Sequence, residues 1–359
     1  MGPGVTSFPA GPPPFPAGPS HFPPSSTPLP PPVTESAPPS SGGVFAPGHA
    51  FGKRYRIIKL LGSGGMGAVY QAWDEELGLV VALKVIRPDI TSDPVSGPEV
   101  ERRFKRELVL ARQVTHKHVI RIHDLGEIEG VRYITMQYVH GQNLAAVMRQ
   151  RGKLPVVDAL RIARQVAAGL VAAHEVGVVH RDLKPANIML GDEDHAYIVD
   201  FGIARSAAAS ATVGMVVGTL EYMPPEQARG QPSDARSDIY SFGLILLDMV
   251  TESRRIATAP SAMVELMDRM QQGPRVTAIE PGLPDGLEHI ISTATQPDPA
   301  LRYASASEMA GDLDRLEADG RMTTPLPSGR ASGPPGLRAR RRRPGIWAGV
   351  AIASLLIAG

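Results

Sequence analysis

HRDLKPANIML, residues 180–190, decides how this chain is read. Three of its first five side chains are formally charged and a fourth, His180, titrates, yet GVV runs into the stretch and IML closes it. Charge held close to apolar sequence is costly unless it is paired or meets a ligand. Asp182 and Asn187 stand five residues apart on a loop between a helical pattern and a short strand. One carboxylate there can accept a proton while a neutral amide oxygen ligates a hard divalent cation. Thirteen residues after Asn187, beyond a second short strand, AYIV, comes Asp200-Phe201-Gly202. A DFG tripeptide alone is common; at this spacing it supplies a second oxygen ligand.

Working upstream, residues 61–69 read LGSGGMGAV, a G-x-G-x-x-G-x-V pattern between two strand-like runs, YRIIKLL and VVALKVI. Glycines let backbone amides approach phosphates without obstruction by Cβ. The next element is a strand, AVYQAW, which argues against a dinucleotide-binding fold, where a helix must follow the loop directly. Lys84 sits among apolar neighbours in VALKVI and needs a partner. Glu107, on a helix expected over 99–114, suits it better than Glu101; the plainer alternative is an edge-strand lysine with its amine in solvent.

The rest of the chain is uneven. It has 359 residues, 43% hydrophobic and 20% charged, with a net charge of +1, so no global basic field points to nucleic acid. The absence of cysteine excludes disulfides, thiolate catalysis and cysteine metal sites. Residues 1–50 are Pro, Gly and Ser-rich and read as disordered with polyproline character. They lack the basic and apolar regions of a signal peptide; MGPGVT fits the myristoylation pattern, but the pattern is short and Pro3 stiffens the site. From Tyr55 the chain is strand-rich, with VRYITMQYV a further strand. After Gly141 it turns helical. VVDALRIARQVAAGLVAAHEVG (156–177) lines up Val156, Leu160, Ala163, Ala167, Leu170 and His174, with Gly177 at its end. Further helices are expected near 236–251, 261–271, 285–295 and 305–317. Two lobes should meet near 137–142.

The ordered set LGSGGMGAV, VALK, Glu107, HRDLKPAN, DFG, GTLEYMPPE, DIYSFG and Arg302 resembles the eukaryotic-type (Hanks-type) serine/threonine protein kinases, of the kind found as bacterial membrane receptor kinases. The likeness runs from about Tyr55 to Leu316. It implies a bilobal α+β protein kinase fold over 51–318. A small β-rich N-lobe with one helix would span 55–137, and a larger, mainly helical C-lobe 142–318. It implies transfer of the γ-phosphoryl of ATP to Ser/Thr hydroxyls of protein substrates, the chemistry of a non-specific serine/threonine protein kinase, with Mg²⁺ as cofactor and Mn²⁺ as a substitute.

At matching positions the resemblance assigns roles. Asp182 would orient and deprotonate the acceptor hydroxyl, and Lys184 would steady the γ-phosphate. Asn187 and Asp200 would hold the metal. The loop Leu61, Gly62, Ser63, Gly64, Gly65, Met66, Gly67, Ala68 and Val69 would cover the nucleotide, with Lys84, held by Glu107, on its phosphates. Met136 would be the gatekeeper, the backbone of Gln137–Val139 the adenine-binding hinge, and Val69, Ala82 and Met189 the walls around the ring; the same residues equally suit a plain core. His180 would pack beneath Phe201. Arg181 implies activation by a phosphate on the loop 203–217, with Thr212 preferred over Ser206 and Ser210; these hydroxyls could also mean nothing. Thr219 would contact Asp182, and Glu226 would pair with Arg302. The chain departs from the family pattern at Pro224, at Leu220 and at Gln137, none of which would touch a reacting atom.

A Pro/Gly-rich to basic linker over 319–343 precedes GIWAGVAIASLLIAG (345–359), fifteen uncharged residues. That is short of the roughly 20 needed for a bilayer span, which suggests a truncated transmembrane helix. The flanking RARRRR suits a cytoplasmic border better than a nucleic-acid patch, and a buried core helix is the alternative. The expectation is a single-pass protein of the cell membrane with its kinase domain in the cytoplasm, and a homodimer for trans-autophosphorylation. Two other classes compete. A non-catalytic scaffold would lack Lys84, Asp182 or Asp200; a small-molecule phosphotransferase of related fold would lack the GT…PPE segment. This chain has all of them.

Overall fold

The structure is a computed structural model that describes residues 45–64, 67–86, 106, 108–201, 220–252, 259–274, 276–280 and 282–319. The expectations for Gly65, Met66, Glu107, Ser206, Ser210, Thr212 and Thr219, for the start of the Pro-rich segment and for the apolar tail fall outside them.

The first half builds a six-stranded antiparallel sheet in the order β1-β2-β3-β4-β6-β5. Its strands are β1 (Ala50–Phe51), β2 (Tyr55–Gly64), β3 (Gly67–Asp74), β4 (Leu79–Ile86), β5 (Ile122–Ile128) and β6 (Val131–Gln137). Successive side chains of a strand point to opposite faces. Val81, Leu83 and Tyr133 therefore join Phe51, Tyr55, Ile57, Tyr70 and Ala72 on one face, while Ala82, Ile86, Ile134 and Met136 join Leu108 and Ile120 on the other. Leu108 belongs to a helix, α1 (108–113), within the stretch read as helical. β5 is an addition to the sequence reading: IHDLGEI carries too many polar residues to signal a strand, and its pairing with β6 decides it.

Composition also misplaced the start of the fold. Residues 45–50 share the composition of the Pro-rich segment, yet they pack on the sheet. Phe45 donates its N–H to the Tyr70 hydroxyl and stacks on His49, and Gly48 and His49 exchange backbone hydrogen bonds with Ile57. Three aromatic contacts to Phe45 outweigh the neighbouring Pro47 and Gly48.

The second half is helical around a short sheet β7-β8-β9: β7 (Gln142–Asn143), β8 (Ile188–Leu190) and β9 (Ala196–Ile198). Its helices are α2 (Leu144–Arg151), α3 (Val156–Glu175), α4 (Pro225–Ala228), α5 (Ala235–Thr251), α6 (Ala262–Gln271), α7 (Val276–Ile279), α8 (Asp285–Ala294) and α9 (Ala306–Asp319). α5 is buried on every side from Ser237 to Thr251, as a helix apolar all round must be. α3 passes so close to β9 that a Cβ on Gly169 would meet His118 O and Ile198 Cδ1, both at 2.9 Å. The chain before β5 is stitched to β9: Ile198 N–H donates to His118 O, Ile120 N–H to Ile198 O, and His118 Nδ1 lies 3.0 Å from Ala196 O. Burial pushes the His118 imidazole down to about 4, so the ring is neutral at pH 7 and carries its proton on Nδ1.

Candidate active site

Lys84 shares a face of β4 with Ala82 and Ile86, so it points toward the helical half. Its Nζ meets Asp200 Oδ1 at 2.7 Å, joining residues 116 apart in the chain. Asp200 follows β9 at φ +56°, a left-handed conformation that few non-glycine residues adopt. Burial opposes ionisation of Asp200, but the charge and hydrogen bond of Lys84, then His180 and Lys184, hold its carboxyl below the usual value.

The loop 180–187 hangs from the first turn of α5. Asp238, fully buried there, accepts from His180 N–H at 2.7 Å and Arg181 N–H at 2.8 Å, and its Oδ2 lies 2.8 Å from His174 Nε2. The Arg181 backbone turns at φ +62° between these bonds and Asp182. His180 is fully buried. Its Nε2 must carry a hydrogen to reach Val199 O at 3.0 Å, which leaves Nδ1 to accept from Asp182 N–H at 3.3 Å. Its ring lies 4.9 Å from that of Phe201.

Above this anchor the polar groups converge. Lys184 Nζ lies 2.8 Å from Asp182 Oδ2. Asn187 Nδ2 donates to the Asp182 carbonyl at 2.8 Å, which frees Oδ1 as a ligand atom, and Val199 N–H donates to Asn187 O. One amide oxygen and the second oxygen of Asp200 make a small, hard donor set. It fits Mg²⁺, which takes few protein ligands beside phosphate and water.

On the sheet side, Leu61, Gly62, Ser63 and Gly64 are exposed at the tip of the β2–β3 hairpin, where Gly64 pairs with Gly67. Gly67 has φ +142°, and a Cβ there would overlap the Val85 carbonyl. Val69, Ala82, Met136 and Val139 gather in one apolar cluster below the hairpin, whereas half-buried Ala68 packs against the cluster on the other face of the sheet. Met189, half-buried on β8, is not part of that cluster. The Gln137 N–H is donated to Arg121 O at 3.1 Å.

A groove opens on the other side of the loop, with Arg181, Asp182 and Lys184 on one wall and Tyr222, Met223 and Pro224 on the other. Gln227 Nε2 bridges the walls by donating to Arg181 O at 3.1 Å. Beneath it Glu226 takes two 2.8 Å hydrogen bonds from Arg302 and one of 2.7 Å from Ser237 Oγ. Burial alone would raise the Glu226 carboxyl; these donors outweigh it and lower it. Arg302 spends its other N–H groups on the carbonyls of Gln296, Arg236 and Pro297.

Of the residues that hold the site from below, the sequence marks Asp238 only as the start of DIYSFG and His174 only as part of the 156–177 face, and it does not single out Gln227 or Arg269. The signal was available: Asp238 and Arg269 are charges inside helical patterns with apolar neighbours, and such charges need partners.

These features describe a two-lobed fold with a glycine-tipped hairpin, a lysine–aspartate pair and a charged loop at 180–187. Residues 55–311 match the family model for the protein kinase domain, and the chain belongs to that family. It is similar to the serine/threonine-protein kinase PknD of Mycobacterium tuberculosis, 38% identical over 272 residues, covering 73% of this chain and 39% of the relative. It is also similar to the serine/threonine-protein kinase PrkC of Bacillus subtilis, 36% identical over 263 residues, covering 72% of this chain and 40% of the relative. The chain thus spans about two fifths of the length of the curated relatives it matches.

Proposed function

We propose that this chain is a serine/threonine protein kinase that transfers the γ-phosphoryl of ATP to protein hydroxyls. The observation that carries the reading is the Lys84–Asp200 pair at 2.7 Å, set beside Asp182, Lys184 and Asn187 on one loop. Phosphoryl transfer asks a protein mainly for positioning and charge neutralisation. Lys84 would orient the α- and β-phosphates from β4. Asp182, aimed into the groove, would hold the acceptor hydroxyl and take its proton, while Lys184 would offset charge on the transferring group. Mg²⁺, held by Asn187 and Asp200, would neutralise phosphate charge. The sheet cluster around Val69, Ala82 and Met136 would bury the adenine.

The test is autophosphorylation of purified protein with Mg-ATP, which Asp182→Asn should abolish. Equal incorporation by that variant would sink the assignment of Asp182.

Three finer readings rest on sequence. Phosphate on the 203–217 loop, at Thr212, would face Arg181 and switch the enzyme on; phosphopeptide mapping that finds phosphate only elsewhere rejects it. Residues 345–359, behind RARRRR, would insert in the cell membrane with the kinase domain, 51–318 with the added 45–50, on the cytoplasmic side. Among the described residues no helix is long and apolar enough to cross a membrane. Recovery of the chain in the soluble fraction of its own cells would reject the anchor. A homodimer would serve trans-autophosphorylation; a rate per molecule independent of enzyme concentration would reject it.

A further inference from the structure

Arg269 on α6 is almost fully buried, at 3% exposure, and apart from a bond to Tyr240 its polar bonds among the described residues serve the far wall of the groove or the pair that holds it there. Its Nε lies 2.7 Å from both oxygens of Glu265, one turn earlier. One terminal nitrogen donates to Met223 O at 2.9 Å and to the Tyr240 hydroxyl at 3.1 Å; the other donates to Leu220 O at 2.9 Å. The guanidinium is planar with donors in a fixed fork, so it can bind a carboxylate on one edge and two carbonyls on the other. No other side chain type spans those groups at once.

The two carbonyls bracket Tyr222, and Tyr222, Met223 and Pro224 form the groove wall opposite Asp182. The wall is therefore gripped twice. Arg302 holds Glu226 at its far end, with its guanidinium 4.6 Å from the Tyr240 ring, and Arg269 approaches the same ring at 5.8 Å while holding the backbone of 220–223. Since the wall, not the nucleotide cleft, is what Arg269 touches, its effect should fall on the acceptor.

We propose that Arg269, oriented by Glu265, is a positioning residue for the protein acceptor: it sets the Leu220–Met223 backbone and thereby the wall against which the acceptor chain lies beside Asp182. This rests on the kinase reading above and names how that site holds its second substrate.

The test uses the full chain as enzyme and the full-length Asp182→Asn chain as protein acceptor. Arg269→Lys keeps a charge for Glu265 but cannot reach both carbonyls. The paired change Glu265→Leu with Arg269→Leu removes both charges and keeps the space apolar, so it covers the case in which the single variant does not fold. In each folded variant KM for the acceptor should rise about tenfold, with KM for ATP within about twofold of wild type. Amide hydrogen exchange over 220–223 should quicken, a readout that does not depend on any phosphorylation. Unchanged acceptor KM and unchanged exchange overturn the proposal, and so does an equal loss in both KM values. A wild-type chain that transfers no phosphate would strike the kinase reading; the exchange measurement would still decide whether Arg269 sets the wall.

Discussion

The loop 180–187 and the wall 220–226 both lie beside one groove and both hold charge near the core, yet their charges are kept in opposite ways. Around the loop the pairs are open: Lys84 and Asp200 are 18% and 34% exposed, Lys184 and Asp182 25% and 15%. Each of these pairs is made by a single short contact. In the wall, Arg302 and Glu226 are 0% and 5% exposed, Arg269 and Glu265 3% and 8%. There each guanidinium is spent on carboxylate and carbonyl oxygens, and that of Arg269 also on the Tyr240 hydroxyl. Open pairs can exchange partners when a phosphate or cation arrives. Closed pairs cannot, because leaving one charge buried without its partner costs several kcal/mol. Exposure and completeness of pairing thus separate groups poised for ligands from groups that hold shape.

The largest effect should come from the open side. Asp182→Asn should cut phosphoryl transfer by about 10²–10⁴-fold, the worth of a general base, while the thermal midpoint moves little. A large fall in that midpoint would erase the contrast. On the closed side Arg302→Met should do the reverse in order of events, destabilising the fold by about 3–5 kcal/mol in urea titration. Adding Glu226→Met should restore part of that loss, because the stranded charge is gone. If the single change is silent, burial does not mark a structural pair here.

A smaller effect tests the joint behind the loop. His118, packed against His195 and near His116 and Lys117, is held neutral in the fold with its imidazole at about 4, below the ordinary 6.5. The unfolded chain therefore binds the proton first as pH falls. Stability should be full above about pH 6.5 and decline toward pH 4, by at most about 1.4 kcal/mol per pH unit from this group. His116 and His123 are shifted the same way and add to the slope. The lowered carboxyls of Asp200 and Glu226 enter only below their ordinary values of 3.8 and 4.5. His118→Gln should flatten the thermal midpoint between pH 6.5 and 4.5; an unchanged slope would reject this source. The smallest effect belongs to Arg236 and Asp234, paired at 2.6 Å but 37% and 54% exposed. Arg236→Ala should cost about 1 kcal/mol or less in the same urea titration.

Much of this was legible in the chain. Strand alternation in VALKVI put Lys84 on the face of Ala82, and the apolar period of 156–177 gave α3 to within a residue or two. β5 was not legible, because its polar residues pair with β6 through backbone bonds that no side-chain pattern reports. The place of residues 45–50 in the fold was not legible either, because composition does not report that Phe45 finds three rings.

By itself the sequence determined the order of motifs, the two lobes, and which residue types could do the chemistry, since these depend on local periodicity and on what each side chain can donate or accept. Only the tertiary structure decided partnership. It set Lys84 against Asp200, hung the Asp182 loop from Asp238, and turned Arg269 toward the carbonyls of Leu220 and Met223. Those contacts join residues tens to more than a hundred positions apart, and their strength depends on burial, which arises only when the chain has closed around them.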